Sequence, residues 1–284
     1  MKKWLLAVVC CLIVCLPVFV HAENGGFILM ASTIGPIDSG IVDALENKFE
    51  KETGIRVRHV GAGTGEALKI ASMCNVDLVL VHAKSLEEKF VSEGYGTERV
   101  PLMYNDFVIV GPAADPAGIK GMKSATEALK AIADKGVLFI SRGDKSGTHI
   151  AEMDLWAKAG LTPGGPWYTV YEKGAEGNVP TLLFTDQKSA YTVIDRATYL
   201  TVKDKIKLTV LVEGDEVLIN HISLIPVNPK KCPRVYNQDA MAFVNWLVDP
   251  DKGQKVIETF GKDKYGMPLF FPESNAWKTK HKNQ

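Results

Sequence analysis

The feature that most restricts this fold is an alternation of short apolar runs with helix-spaced segments across residues 27–93. Phe27 to Ala31 is one apolar run, the length of a buried strand. After a turn-rich loop from Ser32 to Gly40, Ile41, Val42, Leu45 and Phe49 recur at helical spacing until Gly54. Residues 55–60 alternate as a strand does, 66–74 read as a helix, 76–81 as a buried strand, and 85–93 as a helix capped by Ser85. Three strand–helix units in succession predict an α/β fold with a mostly parallel sheet covered on both faces. Ligands of such sheets lie at the carboxyl ends of the strands, where the chain turns into helices. Those turns are rich in Ser, Thr and Gly here, but they need small residues and caps whether or not anything binds.

One later turn says more. Gly136 to Ile140 reads as a strand and residues 151–160 as a helix, and Ser141-Arg142-Gly143-Asp144-Lys145-Ser146-Gly147-Thr148-His149-Ile150 lies between them. Free N–H groups and the positive end of a helix dipole meet a fixed guanidinium there, which makes half of an anion site. Arginine offers an oxyanion a planar fork that lysine cannot. The alternative is a surface arginine paired with Asp144 or Glu152. Ser146 and Thr148 fit helix capping as well as ligand contact. Asp144, Ser146 and His149 are too close along one turn to form a catalytic relay, and no Gly-x-Ser-x-Gly elbow exists. The phosphate-loop spacing and any Cys/His zinc spacing are absent too. The expectation is a binding protein with no catalytic residues, cofactor or metal. His82 reads as a structural histidine, and Tyr104, Tyr191 and Tyr199 read as core or hinge packing, with Tyr191 the best placed of the three to touch a ligand.

Residues 103–110 form an extended segment closed by Gly111-Pro112-Ala113-Ala114-Asp115-Pro116, and residues 221–227 form a second one. A βα domain left and re-entered once each predicts a two-lobed clamshell with a cleft between the lobes. Lobe 1 is then 23–111 with 222–284, and lobe 2 is 112–221. Met1-Lys2-Lys3, an apolar stretch from Trp4 to Val20, and Ala22 give a Sec-type signal peptide over residues 1–22, with an uncleaved anchor as the alternative. No later run is long enough to cross a bilayer. Cleavage would remove Cys10, Cys11 and Cys15 and leave Cys74 and Cys232, paired or as two buried thiols. The valine before Cys15 disfavours lipidation there. With 33 basic and 33 acidic side chains, the chain lacks the surplus that a nucleic-acid partner would need.

Local matches in order along the mature chain carry a resemblance. They include Asp38-Ser39-Gly40, Gly63-Thr64-Gly65-Glu66-Ala67-Leu68, Tyr104-Asn105-Asp106-Phe107, the Ser141-Arg142-Gly143-Asp144 turn, Asp195-Arg196 and Glu213-Gly214-Asp215. The chain resembles the type II periplasmic binding proteins of ABC importers, and within them it is most similar to the tungstate-binding branch. The resemblance implies an exported, periplasmic, monomeric receptor that traps a tetrahedral oxyanion (tungstate, molybdate or vanadate) and delivers it to an ABC permease. It places Ser32, Thr33, Gly63 and Thr64 in the first lobe's half of the site. Arg142, Ser146, Gly147, Thr148 and Thr181 fall in the second.

Two stretches depart from the family pattern. Where it has a hydroxyl-rich loop followed by Thr-Gln, this chain has Ser32-Thr33-Ile34-Gly35-Pro36-Ile37, and Pro180 removes an N–H from a later helix start. Each donor lost to a desolvated dianion costs ~1.5–3 kcal/mol. The alternative expectation is therefore a binding protein or sensor for a small carboxylate or another anionic ligand.

Overall fold

The computed structural model describes residues 27–282. The expected signal peptide and Cys10, Cys11 and Cys15 lie outside the described residues. In chain order the regular elements are β1 (Ile28–Ser32), α1 (Ile34–Ser39), α2 (Ile41–Thr53), β2 (Val57–Gly61), α3 (Thr64–Ser72), β3 (Leu78–Val81), α4 (Lys84–Ser92) and β4 (Val100–Pro112). Next come α5 (Ala125–Asp134), β5 (Phe139–Ser141), α6 (Gly147–Lys158), β6 (Tyr168–Val170), α7 (Asn178–Gln187), β7 (Thr192–Asp195), α8 (Arg196–Val202) and β8 (Leu208–Val212). The chain continues through β9 (Ile219–Pro226), α9 (Asn237–Val248), α10 (Gly253–Thr259), α11 (Lys262–Tyr265), β10 (Phe271–Pro272) and α12 (Asn275–Lys280).

The first lobe's sheet runs β2-β1-β3-β9-β4-β10. Its β2-β1-β3 part is parallel, as the alternation predicts, while β9 pairs antiparallel with β3 and β4 antiparallel with β9. Both faces are buried. Leu78 and Leu80 point into a core with Ile28, Phe49, Phe243 and Trp246. Val79 and Val81 point the other way, into a core with Ala67, Phe90 and Cys232. A strand covered on both sides has to be a continuous apolar run, which is how residues 76–81 read.

β4 joins the lobes. Its first half, through Asp106, pairs with β9, and from Phe107 on it pairs with β7 and β8 instead. Phe107 and Ile109 enter the second lobe's core beside Phe139, Trp156 and Tyr191, while Val108 and Val110 enter another with Leu182 and Ile194. β5 and β6 pair in parallel next to Tyr191. The lobes are in contact, since Ala197 at the start of α8 packs into the first lobe's core.

Four expectations need correction. Ser85 does not cap α4 but lies in its first turn, where Ala83 is the N-cap. The Ser32–Gly40 loop contains a helix, α1, because a proline in a first turn forgoes only an N–H that has no intrahelical acceptor there. The helix after Arg142 begins at Gly147 rather than 151, so Thr148 and His149 lie in its first turn. Tyr191 belongs to the second lobe's core. Its hydroxyl donates to Asp115 Oδ1 at 2.9 Å and accepts from the Ala117 N–H at 2.8 Å. The question of Cys74 and Cys232 is answered by a disulfide with a Cα–Cα distance of 5.3 Å.

Candidate functional site

A cavity opens where the two lobes face each other. The first lobe contributes Thr33, the α1 residues Ile34, Gly35 and Pro36, then Gly63, His82, Asn105 and Asn220. The second contributes Arg142, Ser146, Gly147, Thr148, Asn178 and Asp195, with Phe107 at the crossing. About 30 Å³ is open to the centre of a water-sized sphere, room for a compact ion rather than an extended molecule.

Helix starts dominate the wall. Thr33, Gly63, Ser146, Gly177 and Asp195 are the N-cap residues of α1, α3, α6, α7 and α8. The first N–H groups of a helix have no intrahelical acceptor, and they carry the positive end of its dipole. Several such ends around one small cavity favour an anion. A hydroxyl adds to this. Thr33 Oγ1 is buried in the wall with no hydrogen-bond partner, and Thr64 Oγ1 is buried and unpartnered one residue past Gly63. A buried hydroxyl without a partner is costly, so Thr33 is placed to bond an ion that enters the cavity.

Arg142 is only 5% exposed and does form the ion pair with Asp144, at 2.6 Å. The surface-pair reading is therefore right about the partner and wrong about the surface. Nε donates to Gly174 O at 3.1 Å and Nη1 donates to Asn178 Oδ1. Glycine at 174 lets its backbone pack on that of Arg142, because a Cβ there would stand 1.8 Å from the Arg142 backbone O. Three of the five guanidinium N–H groups are thus committed and two remain. Asn178 Oδ1 also accepts from Thr148 Oγ1 at 3.0 Å, and Asn178 Nδ2 donates to Asp195 Oδ2 at 2.7 Å. Glu152 lies behind the turn and accepts from Trp156 Nε1 at 3.1 Å and the Tyr168 hydroxyl at 2.8 Å. Burial pushes its carboxyl up to about 7. Burial also raises Asp195, and it raises Asp38, which the Asp195 charge pushes further up.

Of the residues expected from sequence, Thr33, Gly63, Arg142, Ser146, Gly147 and Thr148 meet at the cavity. Ser32, Thr64 and Thr181 stand behind it. Ser32 Oγ donates to Thr33 O at 3.2 Å, and Thr181 Oγ1 donates to Gly177 O at 2.9 Å within its own helix. Ser146 also caps α6, accepting from the His149 N–H at 3.4 Å. Asn105, Phe107, Asn178, Asp195 and Asn220 line the cavity without having been singled out, and His82, read as structural, faces it. Among the described residues, Asp43, Glu46 and His59 offer three ligand atoms within 4.8 Å of one another. The contact of His59 Nδ1 with Glu46, at 3.1 Å, accounts for that group, and none of it lines the cavity.

Residues 21–251 match the family model described as a PBP superfamily domain. The chain is 43% identical to the tungstate-binding protein TupA of Peptoclostridium acidaminophilum, over 88% of this chain and 86% of that one. It is 42% identical to a putative ABC transporter anion-binding protein of Haloferax volcanii, over 86% of this chain and 71% of that one. The solved structure of TupA from Desulfovibrio alaskensis G20 superposes with a TM-score of 0.77 at 43% identity, over 88% of this chain and 99% of that one.

Proposed function

The chain belongs to the PBP superfamily and to its tungstate-binding TupA family, and from that premise we propose that it captures tungstate, or the similar molybdate or vanadate, for an ABC importer. The observation that carries the proposal is the inter-lobe cavity walled by helix starts, with an unpartnered Thr33 hydroxyl and a buried Arg142 that keeps two free N–H groups. Thr33, Gly63, Arg142, Ser146, Gly147 and Thr148 would contact the anion, with Thr64 reached on tightening and Ser32 and Thr181 supporting the wall. The lobes, expected as 23–111 with 222–284 and as 112–221, would close on the anion about β4 and β9, with the β4 crossing between Asp106 and Phe107 and Asn220 on the first lobe's side, and the receptor would dock as a monomer on the permease. Export by the Sec signal would put it outside the cytoplasm, where the Cys74–Cys232 disulfide is stable.

The apolar side of the wall favours a second reading. Ile34, Pro36 and Phe107 line the cavity and offer a ligand no hydrogen bonds from their side chains, which suits a small carboxylate with an apolar end. Thermal melting against tungstate, molybdate, vanadate, phosphate and short carboxylates separates the two. A rise in melting temperature with the metal oxyanions supports the first reading, and a rise with carboxylates alone supports the second.

A further inference from the structure

His82 follows β3 in the first lobe and reaches across the cleft to the start of α6 in the second. A Cβ on Gly147 would stand 1.9 Å from His82 Cε1 and 2.1 Å from Nε2, so only glycine lets that edge of the imidazole settle there. The other ring nitrogen is held from behind. Asn220 Nδ2 donates to Asn105 Oδ1 at 2.7 Å, which turns Asn220 Oδ1 towards His82 Nδ1 at 2.8 Å. Nδ1 therefore carries the hydrogen, and Nε2, with no partner among the described residues, presents a lone pair to a cavity otherwise rich in donors.

A ligand oxygen brought against a bare lone pair is repelled, whereas a proton between the two makes a charge-assisted hydrogen bond. The surrounding charges sharpen the need for that proton. The titratable residues lining the cavity are His82, Arg142 and Asp195, and Asp144 and Asp38 stand just behind. Arg142 already has Asp144 as its counter-ion, and buried Asp195 adds a second carboxylate that does not favour a dianion.

We propose that His82 couples anion binding to protons: the cavity takes up an oxyanion together with one proton from solvent, shared between His82 Nε2 and a ligand oxygen. The Asn105–Asn220–His82 chain fixes which nitrogen is available, and closure on Gly147 brings that nitrogen to the ligand. Desolvation first, and the Arg142 charge after it, hold His82 down to about 4, so the ring is neutral near pH 7 before the anion enters. The inference rests on reading this cavity as the oxyanion site.

Calorimetric titration with sodium tungstate, in two buffers of different ionisation enthalpy between pH 6.5 and 8.5, tests it. The wild-type chain should take up close to one proton per anion, and its Kd should weaken by up to about tenfold per pH unit as the pH rises. His82→Gln keeps a polar side chain but cannot titrate, so it should show no uptake and a flat Kd. The His82 Nε2 NMR shift should move to its protonated position when tungstate is added to the wild type, a readout that needs no variant. Tight binding without uptake, or equal uptake in His82→Gln, overturns the proton coupling and leaves the site reading standing. Absence of binding at every pH overturns both.

Discussion

Asn178 Oδ1 accepts a hydrogen bond from Arg142 Nη1, which holds the guanidinium against the second lobe's wall. The same carboxamide donates to Asp195, so Arg142 and the buried carboxylate are oriented by one side chain. Asn178→Leu should remove one of the three anchors of Arg142 and leave Asp195 held by Thr198 alone. An anion Kd weakened roughly 10–100-fold is expected, since hydrogen bonds to charged groups are worth about 1.5–3 kcal/mol. Titration of the variant, with its melting temperature measured alongside, checks this. An unchanged Kd would mean that Arg142 needs no such support.

Closure should be sensitive to one methyl group. Gly147→Ala places a Cβ within 1.9 Å of His82 Cε1, on a helix start that cannot retreat without losing its core contacts. Affinity is expected to fall at least about tenfold, the roughly 1.4 kcal/mol of a modest clash, while the unliganded chain melts near the wild-type temperature. Small-angle scattering with anion present should show the variant more open than the wild type.

Glu152 makes stability depend on pH. Its folded pKa of about 7 lies above the ordinary 4.5, so the folded chain holds the extra proton between those values. Stability therefore falls as pH rises through that window and levels off above it. Glu152→Gln can still accept from Trp156 and Tyr168 without burying a charge. It should be more stable than wild type at pH 8, by about 3 kcal/mol at most, and the gap should close below pH 4.5. Denaturant melts at pH 4.5, 6 and 8 measure the difference.

The Cys74–Cys232 disulfide ties positions 158 residues apart. Replacing both cysteines by serine should cost about 2–5 kcal/mol of stability, because the unfolded chain regains the entropy of a long loop. Neither residue lines the cavity, so anion affinity should stay within about twofold at a temperature where the variant is folded. Chemical denaturation and titration of the same sample separate the two effects.

The sequence exposes most of this architecture because its signals are local. The doubly buried run of β3, the helical spacing of α2 and the Arg142 strand–turn–helix are each legible within about a dozen residues. The site is legible only in part, because its remaining members are set by distant pairing. Asn105 and Asn220 meet across 115 residues through the β4–β9 ladder, and nothing beside either one indicates a cavity. That His82 borders the cavity cannot be read from its own stretch, because the Gly147 it faces belongs to the other lobe. Pro36 read as a loop residue because its neighbours Gly35, Ser39 and Gly40 are turn formers, although a first helical turn accepts proline.

The central claim is that Arg142 and the helix starts around it form an oxyanion site. Calorimetric titration of sodium tungstate into the wild-type chain and Arg142→Ala, at one pH and one salt concentration, tests it most directly. Wild type should bind one anion per chain, and Arg142→Ala should bind at least about 100-fold more weakly, as expected when two charge-assisted hydrogen bonds are lost. Equal affinity in the two proteins, or no tungstate binding by a folded wild type, would contradict the account.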